Sequence, residues 1–397
     1  MKKSILFAFL LLLGLYLFSC YPNNEEYTSN VENIPINLSK SISSPMEEAI
    51  EKIELIPLET NNDCLFHLYR KMEYYNDLEL FAILDINYIV FLFSKDGKYI
   101  ANSKELRGQG PRQFQILSDF LYNPYSKCME FLDPWGTIYR YDTSFNFIEK
   151  ISLEQKKIVF DNFFPLNKTQ YLLTIHPFYL TDLKLYFCDF DNKRINTIDN
   201  HKNFYIGGPS MQNQFFFQFD DQLLFLPVGL DYHFYIINSD SLSIMPVIKL
   251  DFGKDEITRK QIENMTGISY KDEMEQKNRR NKTETLVINK ALIESSLRIP
   301  ISKYINDKYV YLQMLTNNKR SNYIYNRKTK KGFYQAIDDE FKIYFGLQLE
   351  DNILITMPQP YEIEKYLNIK YMSQRDIEIM EKILEDDNPI IVKYYLK

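Results

Sequence analysis

The sequence predicts an all-β chain: a six-bladed β-propeller of four-stranded antiparallel blades. Three observations predict it. Aromatic residues make up 15% of the 397, with 31 Tyr and 29 Phe, a composition that favours strands. A strand, polar turn, strand motif recurs. "FSKDGKYI" from Phe93, "YDTSFNFI" from Tyr141, "FDNKRINTI" from Phe190 and "INSDSLSI" from Ile237 stand 48, 49 and 47 residues apart, and "YNRKTKKGF" from Tyr325 follows 88 later, one unit plus an insertion. Eight residues before each anchor stand the turn formers Asp85, Asp133, Asp182, Gly229 and Asn317.

A further turn opens each unit, at Asn76-Asp77, Tyr125-Ser126, Asn167-Lys168, Asp220-Asp221 and Asn306-Asp307, with a sixth at Asp351-Asn352. Each unit therefore reads as four strands joined by three turns, about 45–50 residues, the size of a propeller blade. One such meander is apolar on both faces and cannot bury them alone. Stacking six around an axis covers every face and leaves only short edges.

In chain order, Lys2 and Lys3 precede an apolar run from Ser4 to Leu17, which is shorter than the about 20 residues that span a bilayer. The run stops at Ser19-Cys20, so residues 1–20 read as a signal peptide ending at a lipobox, with Cys20 as the lipid attachment point. An ordinary secretory signal or an uncleaved anchor is the alternative. Residues 21–47, beginning "YPNNEEYTSN", read as a polar tether, and 48–397 as the propeller. The strand "EKIELIPLE", Glu51 to Glu59, precedes the first full unit and is free to complete the last blade from the other end of the chain.

The 254–294 insertion is dense in Lys, Arg and Glu and reads as one or two surface helices. It is either a lid or docking arm, or a solvated excursion with no partner. The last unit lacks an anchor. A polar, helical segment from Tyr361 to Leu384 replaces it, and Ile390 to Leu396 supplies a strand.

The net charge of −6 leaves no basic footprint, which argues against nucleic acid as a partner. After processing, Cys64, Cys128 and Cys188 remain, an odd number with apolar neighbours, and read as buried free thiols. His67, His176, His201 and His233 are never within five residues of one another. The acid clusters Asp220-Asp221, Asp338-Asp339-Glu340 and Glu385-Asp386-Asp387 fall at turns or helix ends, and no Gly-x-Ser-x-Gly elbow occurs. No catalytic, cofactor-binding or metal residue is assigned, and no cofactor is expected. Trp135, at the turn of "LDPWGTIY", is the one tryptophan that could meet a sugar.

"LRGQGPRQF" holds Gly108 and Gly110, but Gln113 stands where a dinucleotide fingerprint needs its third glycine, and Pro111 precedes a strand rather than a helix. The segment reads as a hinge between blades, made of Gly108, Gly110, Pro111 and Phe114.

"IELIPLET", "FSKDGKYI" with "RGQGPRQF", and "EDDNPIIVKYYLK" resemble the Bacteroidetes six-bladed β-propeller lipoproteins, a family related in shape to NHL-type propellers. Its connector is usually G-x-G-P-G-E-[FY]. Gly108, Gly110, Pro111 and Phe114 match, whereas Arg112 and Gln113 replace a glycine and an acid. The resemblance implies an outer-membrane lipoprotein of the cell envelope, facing the periplasm or the surface. Glu25 and Glu26 behind Cys20 resemble a surface-export signal.

The expected function is a lipid-anchored, non-catalytic ligand-binding or protein-assembly module. The membrane holds it through its lipid, and an envelope protein or a glycan is the ligand. An envelope enzyme of lyase or glycoside hydrolase type, with its site in the funnel, is the alternative. A docking subunit that uses the charged insertion is a third reading.

Overall fold

The computed structural model describes residues 31–175, 185–198, 214–219, 222–227, 230–268 and 282–397. Among them the strands form six sheets, each built on a four-stranded antiparallel blade, and two of the six carry a fifth, parallel edge strand. Blade 1 is β4–β7 (Tyr69–Tyr75, Leu80–Asp85, Val90–Ser94, Tyr99–Asn102), and blade 2 is β8–β11 (Asp119–Asn123, Cys128–Leu132, Thr137–Tyr141, Phe147–Ser152). Blade 3 is β12–β15 (Phe160–Pro165, Gln170–Ile175, Leu185–Asp189, Arg194–Ile198), and blade 4 is β16–β19 (Phe216–Phe219, Gln222–Phe225, His233–Asn238, Ser243–Asp251). Blade 5 is β20–β23 (Ile299–Ile305, Tyr309–Thr316, Lys319–Asn326, Lys331–Gln335). Blade 6 joins β24–β26 (Gly346–Glu350, Ile353–Thr356, Ile390–Leu396) to β3 (Ile50–Pro57).

Side-chain alternation explains the stacking. On β5, Leu80, Ala82 and Leu84 pack with Phe120 and Phe131 of blade 2, while Phe81 and Ile83 pack with Ile355 and Ile391 of blade 6. The same division recurs between blades 2 and 3, where Leu132 and Ile138 meet Phe163 and Tyr171. It recurs again between blades 3 and 4, where Leu172 and Leu185 meet Phe225 and Tyr235. A strand buried on both sides cannot alternate apolar and polar residues, which is why β5 reads LFAILD and all six residues are buried.

The ring closes where expected. β26 pairs with β3 in the register Ile391↔Ile56, Val392↔Leu55 and Tyr394↔Ile53. The spare early strand thus forms the outer strand of the last blade.

Part of the stretch read as a polar tether packs on the blades instead. Glu32–Pro35 (β1) adds a parallel strand to β19 in blade 4, and Ser44–Pro45 (β2) pairs in parallel with β23 in blade 5. The cause is the alternation in "ENIPINL", which buries Ile34, Ile36 and Leu38. Between them Pro35 is exposed and Asn37 half-buried, and these two hid the strand. Residues 1–30, including Cys20 and the stretch read as a signal peptide, lie outside the described residues, as do Asp182, His176, His201, Asp220, Asp221 and Gly229.

The insertion is also more than a solvated excursion. Its helices α1 (Arg259–Thr266) and α2 (Lys282–Ile293) bury Ile262, Ile288 and Leu292 against Leu230, Ile299 and Leu315 of blades 4 and 5. Thr258 caps α1 in a capping box with Gln261. Residues 269–281 of the insertion are not described. The last blade carries 3-10 turns at Pro360–Tyr366 and Ile369–Tyr371 and the helix α3 (Gln374–Met380). In a four-stranded meander the first and third turns share one end, and the second turn and the inter-blade connectors share the other. The insertion, the blade 6 excursion and the Gly108 segment therefore all lie on the connector face.

Candidate functional site

The innermost strands β4, β8, β12 and β16 surround a channel cavity of about 420 Å³. Lys71 is its electrostatic centre. Its ammonium donates to Asp119 Oδ1 at 2.7 Å and to the Phe120 carbonyl at 2.9 Å, and stands 3.0 Å from Glu73 Oε1. Lys71 and Glu73 are two residues apart on one strand and so share a face. Asp119 lies on the next blade and also accepts from the amides of Phe120 and Phe163.

Burial opposes charge on all three groups. For Lys71 the two carboxylates outweigh burial and hold its pKa above the usual lysine range. For Asp119 and Glu73 burial wins over the pull of Lys71, and their values stay above the ordinary carboxylate range. Both carboxylates are committed to one ammonium, so neither stands free as a nucleophile.

Around this ion cluster the wall is amide and aromatic. Asn162, Gln214 and Gln218 supply amides, and Tyr75, Tyr122, Tyr125 and Phe164 supply rings. The Tyr75 hydroxyl accepts from the Tyr122 amide at 2.9 Å, tying blade 1 to blade 2.

The inner strands share a further feature. In blades 1, 3, 5 and 6 the register slips by one residue just after the strand begins, leaving Arg70, Asp161, Ile301 and Leu347 without a cross-strand partner. Such bulges re-aim side chains. Two of them are charged. Burial, reinforced by the negative charge of Asp119, pushes Asp161 up to about 7, against the pull of Arg70 and Lys71. Asn162 Nδ2 donates to its Oδ2 at 3.0 Å.

The segment read as a hinge lies between β7 and β8. Phe114 is buried against Phe131 and Tyr139, with ring centroids 5.4 and 6.3 Å away. The Gly108 amide donates to the Phe114 carbonyl, and the Phe114 amide to that of Leu106. The reason for the glycines differs from the expected one: neither Gly108 nor Gly110 has a positive φ. Gln113 folds back over them, and a Cβ would stand 2.3 Å from its Oε1 at Gly108 and 2.8 Å at Gly110. Gln113 Oε1 accepts from the Gly110 amide, and its Nε2 donates to the Glu105 carbonyl, a bond that a carboxylate could not make. These residues lie outside the cavity lining and shape the connector.

The other candidates are placed as follows. Cys64, Cys128 and Cys188 are free and buried, and burial raises all three thiols. His233 Nδ1 lies 3.0 Å from Asp231 Oδ1. Asp338 and Asp339 pair with Lys40, and Asp387 accepts from the Leu384 amide. Trp135 is 43% exposed, at a turn on the connector face. Among the described residues no group of three or more His, Cys, Asp or Glu could hold a metal, and no helix is long and apolar enough to cross a membrane.

Sequence reading missed the channel residues because four blades, far apart in the chain, each supply a few of them. A signal was present: Lys71 and Asp119 are 48 residues apart, and Tyr75 and Tyr122 are 47 apart. They occupy the same phase of the repeat.

No curated protein matches the chain. Among solved structures it is similar to a candidate exported protein of Bacteroides fragilis, at 16% identity and a TM-score of 0.68 over 92% of this chain and 99% of the other. It is also similar to a DUF4221 family member of Bacteroides vulgatus, at 10% identity and a TM-score of 0.49 over 87% and 98%. The first likeness is one of fold. The profile of a domain of unknown function, DUF4934, matches residues 31–395, and the chain belongs to that family.

Proposed function

We propose that the protein is a non-catalytic ligand-binding module of the cell envelope, held at the outer membrane by a lipid on Cys20, and that its ligand enters the channel cavity. One observation carries the reading: a cavity of about 420 Å³ walled by three amides, several aromatic rings and an internally neutralised lysine. Small-molecule sites span about 300–1,000 Å³ and combine apolar walls with a few convergent polar groups. Amides and rings together suit a glycan or a short peptide. The apolar run ending at Cys20 supports the lipid anchor, and the candidate exported protein of similar fold supports an exported address. The RGQGPRQF connector supports a place among NHL-like propellers.

Titration calorimetry of the mature chain with neutral oligosaccharides and short peptides tests this. A ligand should bind, be recovered chemically unchanged, and bind about tenfold more weakly to Gln218→Ala or Tyr125→Ala. Wild-type affinity in both variants would remove the cavity from the account.

The envelope-enzyme reading has one observation in its favour, since Asp161 is a carboxyl that titrates near neutrality beside the channel. Cleavage of the bound ligand, abolished in Asp161→Asn, would establish it instead.

A further inference from the structure

A second cavity, of about 620 Å³, lies on the connector face between blades 5 and 6. Its floor is a row of amides. Gln313, Asn322 and Gln335 stand opposite one another on β21, β22 and β23. Backbone groups fix which way each amide points. The Ile343 amide donates to Gln335 Oε1 at 2.7 Å, so that atom is the oxygen. Asn322 Nδ2 donates to Gln335 Oε1 at 3.1 Å and to the Ile343 carbonyl at 3.0 Å. Asn322 Oδ1 then accepts from the Tyr311 hydroxyl at 2.7 Å and faces Gln313 Nε2 at 3.4 Å. The chain of bonds ends at Gln313 Oε1. That oxygen is buried and has no hydrogen-bond partner among the described residues, while its residue lines the cavity and is 1% exposed. A buried acceptor left unmet costs about 1–3 kcal/mol, which a ligand hydroxyl or N–H would recover.

The rim is cationic. Lys319, Arg320 and Lys342 line it, and among the described residues none of the three is in an ion pair. Glu362 is the one acid in the lining, and its charge adds to the burial that raises the Tyr344 hydroxyl. The Arg320 guanidinium sits 4.9 Å from the Phe345 ring centre, which holds it in place. Phe345, Tyr344 and Tyr366 form a continuous aromatic wall, with centroids 4.2 and 4.8 Å apart.

We infer that this cavity is a second binding site, distinct from the channel, for a saccharide that carries a carboxylate or sulfate group. The anion meets the Lys319–Arg320–Lys342 rim, a sugar hydroxyl donates to Gln313 Oε1, and the ring carbons lie along the aromatic wall. The inference does not depend on the channel reading.

The test is calorimetric titration of the mature chain with oligogalacturonate, a sulfated chondroitin disaccharide, neutral cellotetraose and sodium sulfate. One or both acidic sugars should bind, and cellotetraose about tenfold or more weaker at this site. Affinity should fall as salt rises. Arg320→Ala and Lys342→Ala should each weaken the acidic sugar about tenfold. Both residues are on the rim, so these variants keep the test valid if the buried Gln313→Leu fails to fold. Gln218→Ala in the channel should leave acidic-sugar binding unchanged. No binding of either acidic sugar, binding of cellotetraose as tight as that of the acidic sugars in the Gln218→Ala variant, or wild-type affinity in both rim variants would overturn the proposal. So would competition by sulfate at the concentration at which the sugar itself acts, which marks a bare anion site.

Discussion

Asp161 sits in an environment far from that of a surface carboxylate. It occupies a bulge at the start of β12, facing Asp119, Arg70, Lys71 and Asn162. Its folded value of about 7 lies above the ordinary 3.8, so the native state binds the proton more tightly than the unfolded chain. The carboxyl therefore costs stability at high pH. That cost is complete above pH 7, shrinks as pH falls from 7 towards 3.8, and is absent below it. Asp161→Asn keeps the oxygen that accepts from Asn162 and removes the charge. In urea unfolding the variant should be more stable than wild type by about 1–3 kcal/mol at about pH 8, after allowing for partial exposure, and no more stable at about pH 4. A pH-independent difference would mean that the carboxyl is solvated and the bulge does not point it inward. The Gly108 connector makes a related point: two glycines that look like a flexible hinge instead leave room for one glutamine side chain to lie across them.

Among the elements, α3 and β3 are joined by one side chain. Asp376 completes the capping box of α3 with Ser373, and its Oδ1 accepts from the Leu55 amide at 3.0 Å. β3 is the outer strand of blade 6, and Ile53 also bridges to Met372. The polar C-terminal excursion thus covers an edge that would otherwise offer free amides to another chain. Asp376→Ala should cost about 2–3 kcal/mol in equilibrium denaturation, the sum of a lost cap and a lost buried acceptor. A cost below half a kcal/mol, taking about 0.5 as the surface background, would mean that water replaces the carboxylate there.

Sequence legibility divides along the same line. The turn residues Asp85 and Asp133 mark strand boundaries by their own backbone hydrogen bonds, to Asn87 and Ile89 in one case and to Trp135 and Thr137 in the other. That is local chemistry, and the sequence carries it. β1 and the packed insertion are held by contacts with distant strands, as at Ile34 and Leu292, and a polar local composition concealed both. The two cavities were least legible because separate blades contribute their walls.

At the scale of the whole molecule, the N-terminal segment runs along three outer edges before the first full blade begins. β1 lies on blade 4, β2 on blade 5, and β3 is itself the outer strand of blade 6. The last strand is fixed from both sides: the Lys397 amide donates to the Ala49 carbonyl, and its own carbonyl accepts from the Tyr309 hydroxyl and Asn326 Nδ2. These contacts separate two roles, covering an edge and closing the ring. Removing residues 31–45 takes away β1 and β2 but leaves six four-stranded blades. Such a chain should stay folded and lose stability, chiefly from burial of Ile34, Ile36 and Leu38, each worth about 1.5–3 kcal/mol. It should also aggregate more readily, because the edges of blades 4 and 5 are bared. Removing residues 390–397 takes out β26, the strand through which β3 is joined to β25. Ile391, Val392 and Tyr394 leave both adjoining cores at once, and the open ring exposes two apolar blade faces. That chain should show no cooperative unfolding transition and should bind a hydrophobic dye, whereas the 31–45 deletion should keep a single transition at lower denaturant. Equal loss in the two deletions would mean that edge covering and closure are one cooperative event, and that the ring is not held shut by the β26–β3 pair alone.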